Sequence, residues 1–130
     1  MVTTVEVLTD ALLESGTPFI VGHPGGETVE LMDEVRKRDM RYILMKQEVA
    51  GAMLASTWGE ITGSPGVCTS TRGPGAANMV NGVAHAWLDR APLIALTDQY
   101  PGPDLRRSPG QIQGDGNDHE RRYPRGRNAG

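Results

Sequence analysis

The sequence predicts an α/β fold: an open parallel sheet with helices on both faces. Three observations predict it. Helical and strand-like patterns alternate through residues 1–100. The chain has 130 residues, enough for one domain with a real core. The loops richest in glycine and polar groups each follow a strand-like run, as they do at the carboxyl edge of a parallel sheet.

The elements follow in order. Val5, Leu8, Ala11 and Leu12 recur at helical spacing, so a first helix is expected from Thr4 to Ser15, stopped by Gly16. Pro18 to Val21 reads as a short apolar strand, followed by the turn His23-Pro24-Gly25-Gly26. A second helix is expected near Thr28–Arg38, with Leu31, Met32 and Val35 on one face. Arg41–Leu44 is the next strand. Glu48 opens a third helix that runs to about Ile61 and ends at Gly63-Ser64-Pro65. Gly66–Ser70 is a strand, Ala76–Leu88 a helix and Leu93–Thr97 a fourth strand. Trp58, Met53 and Leu54 are expected in the core, and Trp87 and Leu88 on the packed face of the fourth helix. The small residues Ala50, Gly51 and Ala55 should let two helices pack closely.

From Pro101 the character changes. Residues 101–130 hold six Gly, four Pro and six Arg, and no period survives. Such a composition cannot offset the entropy of ordering, so a domain at 1–100 and a disordered tail at 101–130 are expected. The net charge is −3, and the basic run Arg121 to Arg127 is short and isolated. Nucleic-acid binding is not expected. No apolar run reaches the length of a membrane span, and the N-terminus lacks a secretory signal pattern. The single cysteine, Cys68, excludes an internal disulfide, suits a reducing cytosol and reads as a small buried apolar residue. A cytoplasmic protein is the expectation. His23, His85 and His119 lack metal-ligand spacing among themselves, so no metal site is expected.

Two stretches carry chemistry. Met45-Lys46-Gln47-Glu48-Val49-Ala50-Gly51-Ala52 places one carboxylate between a strand and a helix rich in small residues. Any glutamate at a helix start favours the positive end of the helix dipole, and that is the commoner reason for one. Here the neighbours Met45, Val49, Ala50 and Gly51 offer little polar company. A carboxyl there, covered by a bound ring, would be desolvated, which favours its protonated form. The second stretch, Thr71-Arg72-Gly73-Pro74-Gly75-Ala76-Ala77-Asn78, also spans a strand-to-helix junction.

With His23-Pro24-Gly25-Gly26 and Gln99, these four motifs resemble, in order and spacing, the pyrimidine-binding domain of thiamine-diphosphate enzymes. The likeness is to the acetolactate synthase branch and covers about residues 3–101. It implies an incomplete pyrimidine-binding domain and a catalytic Glu48. That residue would hydrogen-bond a ring nitrogen of the aminopyrimidine and share a proton with it, while the cofactor carries the organic chemistry. Gly25, Gly26, Gly73, Pro74, Gly75, Asn78 and Gln99 would join Glu48 in lining the cofactor site, with Asn78 capping or ordering its helix. Arg72 stands where the family has serine and Ala77 where it has threonine, departures that bear on substrate choice. His23 stands where the family has valine and is expected to be a plain loop histidine, with a place near the substrate as the alternative.

In the family the substrate is a 2-oxo acid. Magnesium and, in acetolactate synthases, FAD are held by other domains, for which no site is expected here. The tail's Gly114-Asp115-Gly116-Asn117 mimics the family's magnesium motif, but no strand precedes it and no helix pattern follows. Two readings remain. The chain is either the pyrimidine-binding subunit of a split decarboxylase, working with a diphosphate-binding partner chain, or a fragment inactive alone that forms a homodimer.

Overall fold

The structure, a computed structural model, describes residues 2–99. The expected tail at 101–130 lies outside the described residues. Four helices and four strands alternate: α1 (Thr4–Glu14), β1 (Phe19–His23), α2 (Val29–Lys37), β2 (Arg41–Leu44), α3 (Glu48–Thr62), β3 (Gly66–Ser70), α4 (Pro74–Asp89) and β4 (Leu93–Thr97). A short 3-10 turn, Gly26–Thr28, leads into α2. The strands form one parallel sheet in the order β2-β1-β3-β4.

Strand alternation divides the core in two. Ile20, Val67, Tyr42, Ile94 and Leu96 face one way and pack with Val5, Leu8 and Leu12 of α1 and Leu31 and Val35 of α2. Val21, Cys68, Ile43 and Leu93 face the other way, against Ala52 and Ala55 of α3 and Met79 and Val83 of α4. The expected open parallel sheet with a helix layer on each face is what the chain adopts. Cys68 is fully buried, and burial pushes its thiol up to about 12.

Local chemistry sets the element ends. Thr3 and Glu6 form a reciprocal capping box at α1, with the Thr3 amide donating to Glu6 Oε2 at 2.6 Å. Gly63, at φ +73°, ends α3 in the left-handed conformation that favours glycine. Strand β1 runs two residues further than expected, because Gly22 and His23 continue the pairing with Thr69 and Ser70 of β3. Helix α4 begins at Pro74 rather than Ala76, since proline is suited to a first helical position.

Several packing expectations are corrected. Trp87 and Leu88 lie on the outer side of α4, 83% and 79% exposed, because Met79, Gly82 and Ala86 form its buried stripe. Met53 and Leu54 are also exposed. Trp58 is half-buried, edge-on to Phe19 with ring centroids 5.0 Å apart. On α1, Ala11 is exposed and Thr9 is buried instead, its hydroxyl donating to the Val5 carbonyl at 2.8 Å. Gly51 faces the sheet, against Gly22 and Val21, rather than a helix. The close α3–α4 approach rests on Gly82, where a Cβ would meet that of Ala52 at 2.4 Å and the Val49 carbonyl oxygen at 2.9 Å.

Candidate functional site

The carboxyl ends of the four strands gather the loops singled out from the sequence. The backbone after β2 is fixed first. The Met45 amide donates to the Gly22 carbonyl at 2.8 Å, and His23 Nδ1 lies 2.8 Å from the Met45 carbonyl oxygen. A carbonyl can only accept, so Nδ1 carries the proton. His23 thus ties β1 to the residues that lead into α3, while its ring stays exposed.

Glu48 is the first residue of α3 and only 9% exposed. It sits in the positive field of the helix start. Its Oε2 accepts from Asn78 Nδ2 at 3.4 Å. The expectation that Asn78 caps α4 is corrected: Gly73 holds the cap position, and Asn78 lies a turn inside the helix, where its amide reaches Glu48. Gln47, Glu48, Val49, Ala77, Asn78 and Asn81 line an open cleft of about 360 Å³. The site is therefore more polar than the sequence neighbours of Glu48 suggest, because α4 brings two asparagines across from α3.

The Gly73-Pro74-Gly75 turn borders this cleft. Gly73 has φ +65°, where a side chain would be strained. At Gly75 a Cβ would lie 3.3 Å from Glu48 Oε1 and 2.7 Å from Thr71 Cγ2. Pro74 is exposed at the first turn of α4. The two glycines of the first loop separate in role. A Cβ on Gly25 would fall 2.5 Å from Thr71 Oγ1, whereas Gly26 has open space around it. Gln99 lies two residues past β4 at the same edge and is exposed.

Glu27 and Ser70 were not singled out from the sequence, and Asp98 only as part of the loop after the fourth strand. Glu27 accepts hydrogen bonds from the Thr71 hydroxyl and, at 3.2 Å, from the Arg72 amide, so it joins the Gly25-Gly26 loop to the Gly-Pro-Gly loop. The Thr71 bond, foremost, holds its carboxyl below the usual glutamate range. Asp98 is shifted the other way, chiefly by burial and then by the nearby Glu27 charge. The Ser70 hydroxyl, beneath Gly75, is buried with no hydrogen-bond partner among the described residues. An acidic residue directly after Gly25-Gly26 was the available sequence signal for Glu27. Nothing local marks Ser70, and the burial of Asp98 is not visible in its loop sequence.

A second grouping lies at the far ends of α3 and α4. Glu60, His85 and Asp89 bring one ligand atom each to within 4.8 Å of one another. The His85–Asp89 spacing was legible in the sequence. The third member comes only from helix packing.

Among the described residues, no helix is long and apolar enough to cross a membrane. The family signature "Thiamine pyrophosphate enzyme, N-terminal TPP binding domain" matches residues 2–119. The chain is 42% identical over 96 residues to a "Probable acetolactate synthase large subunit" of Methanocaldococcus jannaschii, covering 74% of this chain and 16% of that protein. It is 37% identical over 97 residues to "Acetolactate synthase, chloroplastic" of Arabidopsis thaliana, covering 74% and 14%. It is 38% identical over 104 residues to "Acetolactate synthase" of Arthrospira platensis, covering 77% and 18%. The chain thus spans less than a fifth of the length of these relatives. It belongs to the thiamine pyrophosphate (thiamine diphosphate) enzymes, as an N-terminal TPP-binding domain of the acetolactate synthase-like kind.

Proposed function

We propose that residues 2–99 form the aminopyrimidine half of a thiamine-diphosphate site for a 2-oxo acid decarboxylase or carboligase, active only with a diphosphate-binding half. The observation that carries this reading is the Glu48 carboxylate, largely buried at the head of α3 and flanked by Gly75 and Asn78. The donor set fits the ring. A carboxyl can exchange a proton with a ring nitrogen, an amide steadies it, and a missing Cβ leaves room for a flat heterocycle.

When bound, thiamine diphosphate supplies the nucleophilic carbon and the electron sink for 2-oxo acid chemistry. The chain's own part is to move one proton. Glu48 holds it toward the pyrimidine at Oε1, the oxygen next to Gly75, while Asn78 anchors Oε2. Aspartate would fall one methylene short, and glutamine would lack the exchangeable proton. Val49, in the cleft beside Glu48, supplies an apolar wall. Magnesium and the diphosphate belong with the complementary half, because magnesium takes oxygen ligands from carboxylates and phosphates together. The exposed apolar side of α4, with Val80, Trp87 and Leu88, suits association with that half or with a second copy.

Calorimetric titration with thiamine diphosphate and magnesium tests this. Binding is expected only when a diphosphate-binding chain of the acetolactate synthase type is mixed in. Tight binding by the chain alone contradicts the dependence on a second half. No binding in the mixture, with complex formation verified, contradicts the cofactor assignment.

A further inference from the structure

We propose that Glu60, His85 and Asp89 form a surface site for a borderline divalent transition-metal ion such as Zn2+, clamping the ends of α3 and α4. The site is separate from Glu48. Both helices run away from the carboxyl edge, and twelve residues of α3 put Glu60 about 18 Å from Glu48 at 1.5 Å rise per residue.

Geometry supports it first. His85 and Asp89 are four residues apart on α4 and therefore share a face. His85 Nε2 lies 3.3 Å from Asp89 Oδ2. Two ligands about 2.0–2.1 Å from a tetrahedral zinc are separated by roughly the same distance. Glu60 supplies the third ligand from α3, with all three atoms within 4.8 Å, so rotation of flexible side-chain ends completes the set. The hydroxyl of buried Ser56 donates to Glu60 Oε1 at 3.4 Å and orients that carboxylate, as outer partners of metal ligands do. The Gly82–Ala52 contact holds the two helices in close register.

Electrostatics supports it independently. Glu60 and Asp89 stand in the last turns of two parallel helices, where the dipoles present their negative ends. Neither last turn contains a basic residue, and Arg90, next in sequence, makes no ion pair among the described residues. Among the described residues, no lysine or arginine pairs with these two carboxylates, and that field favours a bound cation. The imidazole selects the class, since nitrogen ligands suit zinc, copper, nickel and cobalt, whereas magnesium and calcium take oxygen. Exposure of all three residues leaves the remaining positions to water.

The test uses the full chain without thiamine diphosphate, titrated with ZnCl2 by calorimetry and followed by the His85 ring resonances. One site per chain is expected, with those resonances shifting and chelator reversing the change. His85→Ala should weaken binding at least tenfold, and Glu60→Gln and Asp89→Asn severalfold each. His23→Ala, His119→Ala and Cys68→Ser should leave it unchanged. All three ligand residues are exposed, so circular dichroism should report an intact fold. Wild-type affinity in His85→Ala, loss of binding in His119→Ala or Cys68→Ser instead, or no binding by the wild-type chain overturns the proposal.

Discussion

Glu48 and Gly75 face each other where α3 and α4 begin: a Cβ on residue 75 would lie 3.3 Å from Glu48 Oε1. The same Cβ would press on Thr71 Cγ2 at 2.7 Å, so the turn cannot accept it without shifting. Gly75→Ala should therefore cost about 1–3 kcal/mol of stability. It should also weaken thiamine diphosphate binding by the reconstituted complex at least tenfold. Urea unfolding and calorimetry together check both effects. Unchanged cofactor affinity would mean that the ring does not use this approach.

Two carboxyls at the sheet edge are shifted in opposite directions and should affect stability with opposite signs. Glu27 is held below its ordinary range, mainly by the Thr71 hydroxyl. Its contribution is present above the unfolded-state value of 4.5 and is lost as pH falls through the lower folded value. Glu27→Gln should therefore destabilise at pH 7, with the effect shrinking as pH falls below 4.5. Asp98 is raised, by burial first and the Glu27 charge second, so its ionisation opposes folding. Asp98→Asn should stabilise at pH 7, with the gain vanishing near pH 3. Urea unfolding at the two pH values separates the signs.

Gly82 lies at the contact between α3 and α4. Alanine is favoured over glycine in a helix interior by about 1 kcal/mol. At this position its Cβ would sit 2.4 Å from that of Ala52 and 2.9 Å from the Val49 carbonyl oxygen. The clash outweighs the propensity, so Gly82→Ala should destabilise by about 1–3 kcal/mol rather than stabilise. A shift in urea midpoint to lower concentration checks this.

The tryptophans should differ. Trp87 projects from α4, so Trp87→Ala should change stability by less than about 0.5 kcal/mol. Trp58 packs edge-on to Phe19, and Trp58→Ala should cost about 3 kcal/mol or more. Fluorescence should locate a solvent-exposed emitter that disappears in Trp87→Ala and shifts to the blue when a partner covers α4.

Most of the fold was legible because each helix and strand carries its own period and its own stop. Helix α3 stops at Gly63, where the Gly63-Ser64-Pro65 run was expected to end it, and the strands at Arg41–Leu44, Gly66–Ser70 and Leu93–Thr97 fall where their apolar runs lie. Helix faces were harder. Trp87 and Leu88 look like core residues, yet the buried face of α4 is the one carrying Met79, Gly82 and Ala86, with Gly82 set against Ala52 of α3. At Gly82 the close approach of α3 leaves no room for a side chain, so size as well as hydrophobicity set the buried face. At the site, Glu48 and the Gly-Pro-Gly turn could be picked out as motifs. The Asn78 hydrogen bond and the Glu27 link depend on residues 30 and 44 or more positions apart, which no local pattern reports.

The most direct measurement is 2-oxo acid turnover after mixing this chain with a separate diphosphate-binding chain, thiamine diphosphate and magnesium. Wild type should restore pyruvate decarboxylation. Glu48→Gln should form the same complex and bind the cofactor, yet lose activity by at least a hundredfold, the scale of one general acid–base group. Full activity in Glu48→Gln would contradict the assignment of the proton to that carboxylate.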